Sequence, residues 1–132
     1  MGSASSGRRL LVVDDDPTEA RALAGALALR AFDVTVTFGG AQALALLRAG
    51  FRPAVILTDL TMPDISGEDL VDAVREHHRE TGIAIIAVSA CRASLHRVRD
   101  KVTARVEKPL DLERLVQRLD ALCGAAEASP PP

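Results

Sequence analysis

The sequence predicts an α/β fold, a parallel sheet covered by helices on both faces, from three observations. Five short apolar runs alternate with five segments of helical period. Two of the runs, Ala54 to Leu57 and Ile83 to Val88, contain no polar residue, which fits strands buried on both faces rather than half-exposed ones. Polar side chains then gather where the runs stop, at the carboxyl edge where open α/β sheets bind ligands. Strands joined by helices of this length imply right-handed crossovers and parallel pairing.

Composition narrows the function classes. The 132 residues suit one domain, and with 48% hydrophobic but only 2% aromatic residues the core must be aliphatic, with little surface for stacking bases or cofactors. A formal charge of −2 argues against a protein whose main task is neutralising nucleic-acid phosphates. Cys91 and Cys123 have no metal-type spacing, no secretory leader is visible and no apolar run reaches the length of a membrane helix, so a cytoplasmic protein is expected.

The elements follow in order. Residues 1–7 are small and polar and read as a disordered lead or tag remnant, residues 8–123 as the domain, and residues 124–132 as a disordered Pro-rich tail or linker. Leu10 to Val13 is the first strand, and it runs into Asp14-Asp15-Asp16-Pro17. Asp16 is the N-cap of a helix over about 17–29, with Pro17 at its first position and Glu19 completing a capping box; Ala20, Leu23, Ala24 and Leu27 face inward. Val34, Val36 and Phe38 alternate with Thr35 and Thr37 as in a strand nearer the sheet edge. After Gly39-Gly40 comes a helix from Ala41 to Ala49, ended by Gly50.

The third strand delivers Asp59 and is stopped by Met62-Pro63; a helix over about 68–78 buries Leu70, Val71 and Val74. The fourth strand closes on Ser89-Ala90. Between Cys91 and Lys101, Leu95, Val98 and Val102 hint at a short amphipathic helix crowded with Arg92, His96, Arg97, Arg99 and Lys101. Ala104 to Glu107 is the fifth strand, leading to Lys108-Pro109. Asp111 caps the last helix, whose stripe is Leu112, Leu115, Val116, Leu119 and Leu122, and Gly124 is its expected stop.

In such a sheet Asp14, Asp15, Asp59, Ser89 and Lys108 converge on one edge. Three carboxylates placed together repel unless a hard divalent cation or a proton joins them, and an oxygen-only set suits magnesium. An ionised Asp attacks phosphorus without needing a general base, leaving the protein to position it and neutralise charge.

Leu-Val-Val-Asp14-Asp15-Asp16, Leu-Thr-Asp59-Leu-Thr-Met-Pro63 with Gly67 beyond it, Val-Ser89-Ala90 and Lys108-Pro109 together resemble the receiver domain of two-component response regulators, over about residues 8–122. The resemblance implies a flavodoxin-like (βα)5 fold with strand order 2-1-3-4-5. It implies that Asp59 is the phosphoacceptor, that Asp14, Asp15, Asp59 and the Thr61 backbone carbonyl hold Mg2+ or Mn2+, and that Ser89 and Lys108 are the switch hydroxyl and lysine. The bond before Pro109 would be cis. A histidine kinase or histidine phosphotransfer protein would donate the phosphoryl group and a downstream protein would read the result, with no direct nucleic-acid or membrane contact and no output domain in the chain.

Two departures stand out. The family usually has an aromatic residue three positions before the lysine, where this chain has Arg105, which caps the fourth helix, binds an acidic partner or is simply solvated. The segment between Ser89 and Lys108 is also short. Thr61 and Cys91 stand where the family tunes water access to the phosphoryl group. The chemistry expected is self-catalysed phosphotransfer and autodephosphorylation only. A phosphatase of the haloacid dehalogenase type would want a second Asp at position 61, and a receiver-like scaffold that is never phosphorylated is the other rival. The histidines at 77, 78 and 96 lack metal-ligand spacing.

Overall fold

The computed structural model describes residues 8–78 and 82–127, without the side chains of 78 and 124–127. Five strands, β1 (Arg9–Val13), β2 (Asp33–Thr37), β3 (Val55–Asp59), β4 (Ala84–Ser89) and β5 (Ala104–Glu107), alternate with α1 (Pro17–Ala28), α2 (Gly40–Arg48), α3 (Gly67–His78), α4 (Arg92–Arg97) and α5 (Leu112–Glu127). All pairings are parallel and the strand order is 2-1-3-4-5, the flavodoxin-like arrangement. The lead at 1–7 and the segment from 128 onward lie outside the described residues.

The strand side chains alternate between two cores, so the inner strands β1, β3 and β4 are apolar on both sides. Leu10, Val12, Val55, Leu57, Ile86 and Val88 face α1 and α5, against Ala20, Leu27, Leu115 and Leu119. Leu11, Val13, Ile56 and Ile85 face α2 and α3, against Leu44, Leu47, Leu70 and Val74. Ala87 extends that second face to α4 through Leu95 and Val98.

The departures from the sequence reading have local causes. The alternation expected of β2 fails at its end: Thr37 is buried opposite Val13, while Phe38 lies past the strand, exposed beneath Arg21. The helix within 91–101 spans only Arg92 to Arg97, because the chain turns at Val98 to bring Thr103 beside Ile85. Gly124 does not stop α5, which continues to Glu127: an interior glycine costs a helix only about 1 kcal/mol, and Ala125-Ala126 beyond it are strong helix formers.

The register sets the functional edge. Val13 pairs with Thr58, Asp59 with Val88, and Ser89 with Glu107, so the residues at and just after these strand ends stand side by side.

Candidate functional site

Asp59 is the last residue of β3, and its side chain is only 12% exposed. A carboxylate so placed must be compensated. One oxygen accepts the Thr61 backbone N–H at 3.0 Å, and the other accepts the Lys108 ammonium at 3.1 Å. The backbone after Asp59 is equally confined. Leu60 donates to the Val88 carbonyl and accepts from the Gly67 N–H, and a side chain on Gly67 would lie 2.3 Å from the Asp59 carbonyl oxygen. Only glycine permits that approach.

Asp14 and Asp15 follow β1. The Asp14 carboxylate accepts the Asp16 N–H at 3.0 Å, and its pKa is raised, chiefly by burial and further by the charge of Asp59, against the opposing pull of that hydrogen bond. Asp16 caps α1 by accepting from Thr18 and Glu19. The expected capping box is only half made, because the Asp16 N–H is committed to Asp14. Glu19 instead stands 3.5 Å from the Lys108 ammonium, where the sequence reading had given it only a capping role. Nothing local in the sequence distinguishes the two roles; the contact depends on Lys108, which follows β5, reaching across the carboxyl edge of the sheet toward the start of α1.

Lys108 therefore sits among three acids. Burial works against its charge, yet the hydrogen bond and charge of Asp59, with Glu19 and Asp14 behind it, outweigh that cost and raise its pKa. Its backbone N–H is pinned to the Ser89 carbonyl at 2.9 Å, and the bond to Pro109 is cis. Ser89 is 2% exposed, with its hydroxyl accepting the Cys91 N–H at 2.9 Å. Arg105 lies away from this cluster, exposed on β5.

Around these groups is an open depression of about 400 Å3 lined by Asp14, Asp15, Asp59, Thr61, Ser89 and Lys108 among others. Asp14, Asp15 and Asp59 each offer an oxygen within 4.8 Å of the other two, a hard, oxygen-only donor set that fits a divalent cation of the magnesium class. The opposite side of Asp59 carries the ammonium. An anion entering here meets the Asp59 carboxylate with the Lys108 ammonium on one flank and, on the other, the acidic group that would hold a cation.

A second feature had no sequence signal. Gly39 has no side chain with which to cap α2, and Asp64 does so from the turn after β3, its carboxylate oxygens accepting the Gly40 and Ala41 N–H groups at 3.4 and 3.1 Å. The turn that carries Thr61 is thereby tied to the neighbouring helix.

The comparisons with known proteins agree with this geometry. The chain is 32% identical over 116 residues to the probable transcriptional regulatory protein TcrX of Mycobacterium tuberculosis, covering 86% of this chain and 48% of that one. It is 32% identical over 130 residues to the photosynthetic apparatus regulatory protein RegA of Rhodobacter capsulatus, covering 96% and 67%. The chain thus spans about half the length of the first of these relatives. Among solved structures, a CheY-like receiver domain protein of Methanospirillum hungatei superposes with a TM-score of 0.77 at 29% identity, over 90% of this chain and 96% of that one. The protein TrrA of Thermotoga maritima, solved with Mg2+ and BeF, shares the fold with a TM-score of 0.79 at 23% identity, over 87% and 98%. The family profile described as the response regulator receiver domain matches residues 10–120, and the chain belongs to that family.

Proposed function

We propose that the chain is a phosphorylation-controlled switch in which Asp59 accepts a phosphoryl group from a phosphohistidine of a histidine kinase or histidine phosphotransfer protein docked near α1. An Asp59 carboxylate oxygen attacks phosphorus, the P–N bond breaks, and its electron pair leaves with the imidazole, giving an acyl phosphate. The observation that carries this reading is Asp59 held 3.1 Å from the Lys108 ammonium inside the acidic cluster. Mg2+ or Mn2+, held by Asp14, Asp15, Asp59 and the Thr61 carbonyl, would supply charge neutralisation for the phosphoryl oxygens. Lys108 keeps its proton throughout the neutral range and turns from Asp59 toward the incoming oxygens. Ser89 exchanges its contact with the Cys91 N–H for one to the phosphoryl group.

The same two residues transmit the event, since Ser89 ends β4 and Lys108 follows β5. Their movement shifts the population of states on the face formed by α4, β5 and α5, where a downstream protein is bound. Loss of the phosphoryl group is self-catalysed hydrolysis, and the chain turns over no separate substrate. It acts in the cytoplasm without touching nucleic acid. Among the described residues no helix is long and apolar enough to cross a membrane.

The test is incubation with Mg2+ and acetyl phosphate, read by intact mass, beside Asp59→Asn. The expected result is a single phosphoryl adduct on the unmodified protein and none on the variant. An adduct that persists in the variant would move the acceptor elsewhere, and failure of both proteins to react would favour the scaffold.

A further inference from the structure

Five carboxylates line the depression around Asp59, and Lys108 is the one cation among its lining residues. Four of the five have a task. Asp14, Asp15 and Asp59 form the oxygen donor set, and Asp16 caps α1 through the Thr18 and Glu19 N–H groups. Glu19 lies outside the donor set, and its carboxylate takes no part in the cap because the Asp16 N–H is given to Asp14. It stands at the rim on the first turn of α1, its side chain 57% exposed, and its one ion pair among the described residues is to Lys108 at 3.5 Å. The same ammonium donates to Asp59 at 3.1 Å, so Glu19 and the nucleophile flank one lysine. A divalent cation and Lys108 together offset three of the five carboxylate charges, which leaves the mouth anionic toward a substrate that is itself an anion.

We propose that Glu19 sets the donor preference of phosphotransfer to Asp59, disfavouring strongly anionic small phosphodonors relative to a phosphoramidate, whose protonated nitrogen lowers the net charge the site must admit. The inference rests on Asp59 being the phosphoacceptor. Two effects of Glu19 act in the same direction. Its charge repels the incoming phosphoryl oxygens across the span of the two contacts with Lys108, where one unit charge in water changes a rate by about threefold. It also competes for Lys108, which turns from Asp59 to neutralise those oxygens. The second effect is the smaller, because an exposed ion pair is worth little, and only the first separates donors by charge. The bond-making step is common to both donors: an Asp59 oxygen joins phosphorus. From acetyl phosphate the P–O bond breaks and acetate leaves with the electron pair; from N-protonated phosphoramidate the P–N bond breaks and ammonia leaves with it.

The experiment follows adduct formation on the full chain by intact mass at saturating Mg2+, with acetyl phosphate and with phosphoramidate, in dilute buffer and in about 1 M salt. Glu19→Gln should raise the acetyl phosphate rate about threefold in dilute buffer, raise the phosphoramidate rate by less, and lose most of the gain in high salt. Glu19→Asp, which keeps the charge, should keep the donor ratio of the unsubstituted protein. Asp33→Asn removes a charge at the opposite edge of the sheet, where Asp33 faces Arg9, and should change neither rate. Glu19 is exposed and enters the cap only through its backbone N–H, so its variants should retain the amide NMR spectrum of the folded protein. Equal gains with both donors, a gain that survives high salt, the same gain in Asp33→Asn, or rates that do not move would each overturn the proposal while leaving Asp59 as the acceptor. Failure of every protein to form an adduct with either donor would instead remove the acceptor reading, and the donor preference with it.

Discussion

Replacing Gly67 with alanine opposes two effects of different sign. Gly67 is the first residue of α3, and on helix propensity alone the substitution should stabilise the protein by up to about 1 kcal/mol. The packing says otherwise, because the new methyl would stand 2.3 Å from the Asp59 carbonyl oxygen and 2.4 Å from the Leu60 Cα. Both are backbone atoms with no rotamer to yield, so the turn must open by about 1 Å to restore van der Waals contact. That opening breaks the Gly67 N–H bond to the Leu60 carbonyl, worth about 1 kcal/mol, and adds overpacking of about 1–3 kcal/mol. The expected net loss is about 1–3 kcal/mol, read as a lower urea midpoint with an unchanged slope. Since the displaced segment carries Asp59, the rate of adduct formation with acetyl phosphate should fall by about a hundredfold at saturating Mg2+. Stability equal to or above that of the unsubstituted protein, with an unchanged phosphorylation rate, would refute the reasoning.

Asp64→Ala removes the cap of α2 and should lower the urea midpoint at pH 7. Backbone N–H groups of Ile65, Ala41 and Gly40 hold the Asp64 pKa below its ordinary value, so its contribution is present above about pH 4 and is lost as the pH falls through the depressed folded value; the gap between the two proteins should therefore close in acid. Arg8→Ala loses hydrogen bonds to the Ala31 and Arg30 carbonyls, the Asp120 contact and a stack 4.1 Å above the Phe32 ring, and should cost about 1–2 kcal/mol by urea denaturation without altering phosphorylation. Asp15→Asn should weaken Mg2+ binding at least about tenfold, measured by the shift in thermal midpoint on titration, while the apo protein stays folded because Asp15 is exposed.

The fold was legible where one residue type decides the matter locally. Ala54 to Leu57 carries no polar side chain, so only a doubly covered strand accommodates it, and Asp16-Pro17 can open a helix but not continue a strand. The convergence of Asp14, Asp59, Ser89 and Lys108 followed from topology, because parallel strands share one carboxyl edge. What stayed hidden depends on contacts between segments far apart in the chain. Glu19 satisfies a local pattern and a distant lysine equally well, and only the placement of Lys108 chooses between them. Asp64 caps a helix whose first residue lies twenty-four positions earlier, a pairing no window along the chain contains. Gly124 failed as a stop because propensity is a weak term beside the packing of Leu115, Leu119 and Cys123 that carries α5 past it.

Arg105 and Lys108 are three residues apart at one end of β5, a separation of about 10 Å. This is close to the screening length of physiological salt, about 8 Å, and well inside the length of about 30 Å that holds at 0.01 M. A phosphoryl group adds between one and two negative charges, as an order of magnitude, so Arg105 feels part of that charge through the field alone, before any side chain has moved. The response of any partner that contacts Arg105 would then contain a component set by ionic strength, large in dilute buffer and mostly screened at physiological salt. The mechanical component along the strand carries no such dependence, and a salt series on partner affinity, with and without beryllofluoride, resolves the two by their slopes.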